Sequence, residues 1–514
     1  MFPLQAVPRS GNAFFLTGQV YLVKEKNQNS SIPAIHTLQQ CASHLLAATL
    51  VNLFPRVFLL GGGPCREGFF YDCVFPQAID REVLDHISVS MLGLAKSAQA
   101  ISSSEMLLPN AISFFKGQKQ RVRVGLLEGL ADKQALVSLL RIGDFTDLTS
   151  SDLSQDFSEL DSSTLQYTRL LRLENHTRQV GGESYSVTRI IGVLGIDKKD
   201  LKLRVKQAER GMKRYYRNIA KDLGLFEVNE GELETVSYFA RGEKFKEALI
   251  GEWRALLDAE VFKQVSTPGI VDMATIKHLK DKDWLDIRDD VLLTHRVIDS
   301  KYLFTSDSVL QHLALFRSLG FVERDFPLKF AECVQVLQRE EPLYPGFQCQ
   351  GFELIRDTLT QLCTKDQLKA GIISYLKIIK SLITMHGIGC KLRLKMGKLK
   401  FLDHTFKVKD CERILLEALE ASGLDFEVCA FASPYFGLDV SYVDSLGREW
   451  AGAGLTVDGR LPGAFGLAYM DAGRVKRVPF LLRGSIFGSV QRFMSMLLEH
   501  YAGEIPGRYV SGMV

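Results

Sequence analysis

Between positions 198 and 221 the chain carries ten Lys or Arg against two acids, Asp200 and Glu209, a local excess of about +8. Cations at that density can neutralise phosphate, the interaction that dominates RNA binding. Lys213, Arg214 and Arg217 are the candidate RNA contacts. A solvated connecting helix accounts for the same charge, and both readings stand at this point. Leu201, Val205, Ala208, Met212, Tyr215 and Ile219 recur at spacings of three and four. That spacing predicts one long amphipathic helix.

Other groups that could do chemistry are weaker. His44 lies on the apolar face of residues 38–53, where a core histidine is the expectation. Six carboxylates, Asp144, Asp147, Asp152, Asp156, Glu159 and Asp161, fall between 142 and 168 with no basic residue among them. Ser and Thr interleave them, which predicts a solvated loop. The nine cysteines form no CxxC pair, so free thiols in a reducing compartment are expected. Cys333, Cys349, Cys363 and His312 are near one another in the chain but show no recognised metal-ligand spacing.

The elements that must position such groups follow from pattern. The chain has 514 residues, enough for two or three domains, with 46% hydrophobic and 24% charged residues. Net charge is +3, so the molecule as a whole is no polyanion binder. The first residues lack a basic run followed by an apolar one, so no signal peptide is expected. The most apolar stretch, 45–63, is broken by Asn52, Pro55 and Arg56, which predicts a core helix and strand and no membrane span. A cytoplasmic protein is the expectation. A strand is predicted at 19–23. Leu438, Val440 and Tyr442 alternate before a turn at 444–447, another strand precedes a turn at 471–473, and Val490, Phe493, Met494, Leu497, Leu498 and Tyr501 form one helical stripe. Hairpins followed by a packing helix predict an α+β fold with an antiparallel sheet and no βαβ series.

The run VPFLLRGSIFGSVQRF at 478–493 resembles motif 3 of the threonyl-tRNA synthetases, members of class II. LGREW at 446–450 resembles the preceding hairpin, and RDFPLKFAE at 324–332 with REEP at 339–342 resembles motif 2. Pro268 sits where the motif 1 proline would be. In the N-terminal half, QCASHLL from Gln40 and GPCREGFFYD from Gly63 are similar to the start of that family's editing domain, and RIIG from Arg189 to its end. The segment from Lys213 to Phe226 resembles the linker into the catalytic domain. The matches are colinear over roughly residues 36–505. They imply a short N-terminal segment (1–35), an editing-like α+β domain (36–195), a basic linker helix (196–230) and a class II catalytic-like domain (231–514). That domain would be an antiparallel sheet with flanking helices. The N-terminal ubiquitin-like module and the anticodon-binding domain of the family have no counterpart within these residues.

The resemblance also implies roles for single residues. Arg339 and Arg492 match the arginines that contact the α- and γ-phosphates of ATP. Glu341 matches the carboxylate that reads the adenine amino group, and Phe352 the ring on which adenine stacks. ATP is therefore the candidate cofactor. Against it, Gln348 stands where a further cationic phosphate ligand is expected, and amide groups cannot supply that fork. The loop at 343–350 is also shorter than the family's. The three zinc ligands that select threonine align with Val309, Thr358 and Arg483. Valine has no lone pair and arginine is a fixed cation, so zinc is not expected. The lysine of the threonine pocket aligns with Gly437, its Gln-Leu-Asp strand reads Thr456-Val-Asp, and its acid aligns with Arg356 or Asp357. In the editing motif Gln40 replaces the first histidine while His44 keeps the second, and 147–153 lacks both Cys and His. Three readings follow: a degenerate paralogue that acts by binding, an adenylating ligase for another acyl substrate, and a threonine–tRNA ligase with an altered pocket. A homodimer is implied, with tRNA or other RNA and a genuine synthetase as candidate partners.

Overall fold

The computed structural model describes residues 35–65, 67–128, 136–149, 161–180, 183–229, 235–272, 291–295, 300–305, 307–337, 353–397, 406–433 and 435–510. The strand predicted at 19–23 lies outside them.

The first unit opens on helix α1 (Ile35–Leu53), followed by β1 (Phe58–Pro64), β2 (Phe69–Val74) and α2 (Arg81–Lys96). Asp80 caps α2 by accepting from the Val83 N–H, and Leu84, Ile87, Met91 and Ala95 form its buried stripe. Next come β3 (Ile101–Leu107), α3 (Leu108–Gly117), α4 (Arg121–Glu128), β4 (Leu136–Ile142), β5 (Phe145–Thr149), β6 (Thr168–Val180) and β7 (Glu183–Leu194). They form two antiparallel sheets, β1-β2-β7-β6 and β3-β4-β5. Helices α1 and α2 pack their apolar residues with Phe69, Tyr71, Leu140 and Ile190 in one core.

The basic segment differs from the single helix expected. It is α5 (Lys198–Lys213) and then α6 (Tyr216–Asp222), separated at Arg214 and Tyr215. Tyr215 is extended, and Tyr216, fully buried, gives its backbone N–H to Glu499 Oε1 at 3.0 Å. A tertiary acceptor thus replaces a helical one, and the break brings both tyrosines against the main core.

The remainder holds β8 (Phe226–Asn229), β9 (Thr235–Tyr238), α7 (Ala240–Asp258), β10 (Lys263–Gln264), β11 (Ile270–Asp272), β12 (Val291–His295), β13 (Ser300–Phe304) and α8 (Val309–Leu319). Then follow β14 (Leu328–Leu337), β15 (Glu353–Cys363), α9 (Leu368–His386), β16 (Gly389–Gly397), α10 (Val408–Ser422), β17 (Phe426–Ser433), β18 (Phe436–Val443) and β19 (Glu449–Asp458). The chain closes with the short strands β20 (Tyr469–Met470) and β21 (Lys476–Arg477), then β22 (Phe480–Ser485), α11 (Val490–His500) and α12 (Gly507–Val510).

Among the described residues eight strands make the main sheet, in the order β10-β14-β15-β22-β19-β18-β16-β17. The fold is α+β as expected, and most pairings are antiparallel. Two are parallel, β10 with β14 and β16 with β17. The second is a βαβ crossover through α10, which the hairpin pattern alone did not predict. One face of the sheet, with Leu359, Leu392, Leu438, Tyr442, Leu455 and Leu482, packs on α7, α9 and α11. Among the described residues no helix is long and apolar enough to cross a membrane.

Candidate functional site

Side chains alternate along a strand, so residues between those core positions lie on the sheet's opposite face. One end of that face is apolar: Phe330, Leu362 and Leu481 pack with Val309, Leu313 and Phe316 of α8. The rest carries charged and hydroxyl side chains. Lys395 pairs with Asp439 at 2.6 Å, and Arg393 pairs with Glu449 at 2.7 Å and donates to Ser441 Oγ at 3.0 Å. Arg483 pairs with Asp307 at 2.7 Å.

The last pair stands where β15, β22 and α8 meet. Asp307 precedes α8 and also accepts from the Val309 N–H at 3.0 Å. The neighbouring Ser308 N–H donates to the Thr358 hydroxyl at 3.4 Å. Thr360, two residues along β15, lies opposite Arg483 in the sheet. Val309 and Thr358 are both buried. The fold therefore brings residues 307–309, Thr358 and Arg483 together although they are far apart in the chain. Their donor chemistry does not fit a zinc ion: one hydrocarbon, one hydroxyl and one guanidinium already neutralised by a carboxylate. Beside them His312 is buried, with Nδ1 2.8 Å from Thr360 Oγ1 and Nε2 3.2 Å from Glu332. Glu332 also accepts from the Thr267 N–H and hydroxyl at 2.5 and 2.6 Å. Burial opposes ionisation of Glu332, yet the bonds from His312 and Thr267 outweigh it and hold the carboxyl below its ordinary range. Burial pushes the Cys363 thiol up to about 12 and the Cys333 thiol well above its ordinary value, so neither is a ready thiolate.

A second set of bonds shapes the entry to α11. Asp357 is buried and accepts from the N–H groups of Ile486, Phe487 (3.1 Å) and Gly488 (2.8 Å) and from Trp253 Nε1 (3.0 Å). Gly488 has φ +71°, and a side chain there would run into the Gly452 carbonyl. Ser489 caps the helix by accepting from the Arg492 N–H, and Gln491 Oε1 accepts from the Ile355 N–H at 2.9 Å. This turn sets the position of Arg492, which is half-buried in the first turn of α11. Of the other candidate ATP contacts, Arg339, Glu341 and Phe352 lie outside the described residues, as do Gln348 and Cys349. Nothing in the local sequence marked Asp357 as the anchor, because its partners come from α7 and the turn after β22.

The three candidate RNA contacts have different surroundings. Lys213 is exposed at the end of α5. Arg214 donates to Ser445 Oγ at 3.1 Å, and Arg217 donates to the Tyr216 hydroxyl at 3.2 Å while lying over the Tyr215 and Tyr216 rings. Pro268 is exposed and its carbonyl accepts from Gln311.

The acid-only stretch is not a solvated loop throughout. Asp147 sits in β5 with no exposed surface, paired with Arg123 Nη2 at 2.5 Å and accepting from the Tyr71 hydroxyl. Arg123 also donates to the Tyr71 hydroxyl at 2.7 Å and to the Leu60 carbonyl at 2.6 Å. Burial would push the guanidinium down, but Asp147 and Tyr71 outweigh it. Beside this pair, Gln40 Nε2 donates to Thr149 Oγ1 at 3.2 Å. His44 is fully buried, its Nε2 3.0 Å from the Leu148 carbonyl and its Nδ1 2.9 Å from the Gln40 carbonyl. Both ring nitrogens face main-chain oxygens, and neither points into an open site. Of the residues aligned with the editing motif, Gln40, His44 and residues 147–149 come together in a buried polar cluster, while 150–153 lie outside the described residues.

No protein-family model matches the chain. The threonine–tRNA ligase of Desulfosudis oleivorans is 25% identical over 477 residues, 92% of this chain and 72% of that one. That of Geobacter sp. strain M21 is 27% identical over 494 residues, 95% of this chain and 75% of that one. The chain is similar to threonine–tRNA ligases over nearly all of its length. A solved structure of the RNA-binding domain of threonyl-tRNA synthetase from Cryptosporidium parvum Iowa II has the same fold, with a TM-score of 0.52 at 21% identity over 57% of this chain and 74% of that one.

Proposed function

We propose that this threonyl-tRNA synthetase-like chain no longer selects threonine through a metal and acts by binding. The observation that carries the reading is the Arg483–Asp307 ion pair, which stands with Val309 and Thr358 where metal ligands would be needed. A pocket that discriminates by polar contacts loses most of its selectivity when they go. Gly437 adds to this, since any side chain there would meet the Leu455 carbonyl, and no lysine substitute can arise at that position without moving the strand. In this reading Arg339, Glu341, Phe352 and Arg492 retain a nucleotide, zinc is not a cofactor, and the chain works in the cytoplasm as a homodimer that binds RNA or a genuine synthetase.

One observation favours a second reading, an ATP-dependent class II aminoacyl-tRNA ligase or adenylating ligase with a different acyl pocket. The turn that presents Arg492 is held by three backbone N–H bonds to Asp357, the kind of fixed support that transition-state charge stabilisation by a preorganised cation requires. Pyrophosphate exchange with ATP, run over every proteinogenic amino acid, separates the two. Silence is the result expected for a binding protein. Exchange with one amino acid overturns that reading and supports the ligase, and exchange with threonine alone would identify a threonine–tRNA ligase with an altered pocket.

A further inference from the structure

Two ion pairs on the outward face of the main sheet present opposite charges to solvent. In the first, the arginine is the more exposed member: the Arg483 side chain is 41% exposed and that of Asp307 19%. In the second the order is reversed, with Lys395 14% exposed and Asp439 28%, so the carboxylate covers the ammonium. Asp307 bonds Nη2 of Arg483, and Lys395 bonds Oδ2 of Asp439. One pair therefore offers a cation and the other an anion.

Strand register fixes the distance between these poles. Arg483 lies opposite Thr456 of β19, and Asp439 lies opposite Gly454 of the same strand. The poles are thus two strands apart and two residues along, a Cα separation of about 12 Å. The floor between them is low. Gly437 and Gly454 carry no side chain, and Thr456 is small and partly exposed. A Cβ at Gly454 would stand 3.9 Å from Asp439 Oδ1, so that oxygen leans over the glycine. Gly437 lies opposite both Lys395 and Thr456, and the Leu455 carbonyl keeps it bare. The sheet face is a shallow trough with a cationic end and an anionic end.

A ligand suited to such a trough carries both signs. A guanidinium has five N–H donors in a planar fork and can take a second carboxylate beside Asp307. An ammonium at that end would meet a fixed cation, and a methyl or hydroxyl group would leave the exposed charge unmatched. The separation of the poles leaves room for several bonds between the ligand's two charges, more than one α-carbon supplies. We propose that the trough binds a free acidic amino acid, aspartate or glutamate, with its α-ammonium on Asp439 and its side-chain carboxylate on Arg483. Arg483 is then the residue that sets specificity. The inference rests on the loss of threonine selection in the proposed function and deepens it by naming what takes threonine's place. It holds whether the amino acid is only bound or also activated.

The test is calorimetric titration of the full chain at fixed ionic strength with L-glutamate, L-aspartate, their amides L-glutamine and L-asparagine, L-lysine and L-threonine. One acid should bind at least about tenfold more tightly than its own amide, which has the same shape and lacks only the charge. Arg483→Gln should bring that ratio close to one. Asp439→Asn should weaken acid and amide together and leave the ratio standing, a split that a purely structural role for either residue would not produce. An amide within about threefold of its acid in the parent overturns the proposal. So does lysine or threonine bound as tightly as the acids, or the absence of binding by either acid. The parent's ratio decides the matter even if Arg483→Gln fails to fold. Threonine-dependent pyrophosphate exchange would sink the loss of threonine selection, whereas a missing acid-to-amide ratio without such exchange would sink the trough alone, so the two failures are distinguishable.

Discussion

The buried Arg123–Asp147 pair allows a worked prediction. The Arg123 and Asp147 side chains are 4% and 0% exposed, and the guanidinium spends its other bonds on the Tyr71 hydroxyl and the Leu60 carbonyl. Asp147→Asn keeps the shape but leaves the cation buried without its counter-charge. Breaking one side of such a pair costs about 3–5 kcal/mol, because the remaining charge is desolvated and unmatched. For a unit of this size that is a fall of roughly 6–20 °C in its Tm. Arg123→Met leaves a carboxyl that can take up a proton and strands the Leu60 carbonyl, at about 1–3 kcal/mol. The double variant carries neither charge and should cost less than the two singles summed, with a coupling of about 2 kcal/mol or more. Urea unfolding of the four proteins, followed by circular dichroism, gives the cycle. An Asp147→Asn loss below about 1 kcal/mol, or coupling below about 0.5 kcal/mol, would refute the claim that this pair holds the closed polar core together.

Two further outcomes follow from the site. Asp357→Asn removes an acceptor oxygen from a cluster of four donors and should cost about 2–4 kcal/mol, with faster amide exchange at 486–488 than elsewhere in the sheet; unchanged exchange there would show that the turn holds without Asp357. Glu332 has a folded-state carboxyl held below its unfolded value, so the stability it adds is present above the usual carboxylate range and is lost as pH falls through the folded value. The urea midpoint should decline below about pH 4 more steeply in the parent than in Glu332→Gln, and equal slopes would count against the His312–Glu332–Thr267 network.

What could be read from the chain alone was whatever repeats locally. The apolar spacing in 38–53 gave α1, the alternation of Leu438, Val440 and Tyr442 gave β18, and the stripe from Val490 gave α11. Each depends on neighbours three, four or two residues away, so the pattern is complete within a short window. The similarity to threonyl-tRNA synthetases was likewise legible, because the matching motifs are short runs in a fixed order.

Tertiary structure decided how those positions are used. Asp147 looks solvated amid Ser, Thr and other acids, and only folding supplies Arg123 from α4 and Tyr71 from β2. Tyr216 breaks a helix that its periodicity would have continued, because Glu499, 283 residues on, takes its N–H. Arg214 and Arg217 are indistinguishable in sequence from the exposed lysines of α5 until Ser445 and the tyrosine rings engage them. Arg483 could be dismissed as a zinc ligand by its type, but its pairing with Asp307 is set by a strand and a loop far apart in the chain. Local order follows from propensity and period, whereas the charge balance of a buried group depends on partners that only the packed fold brings within bonding distance.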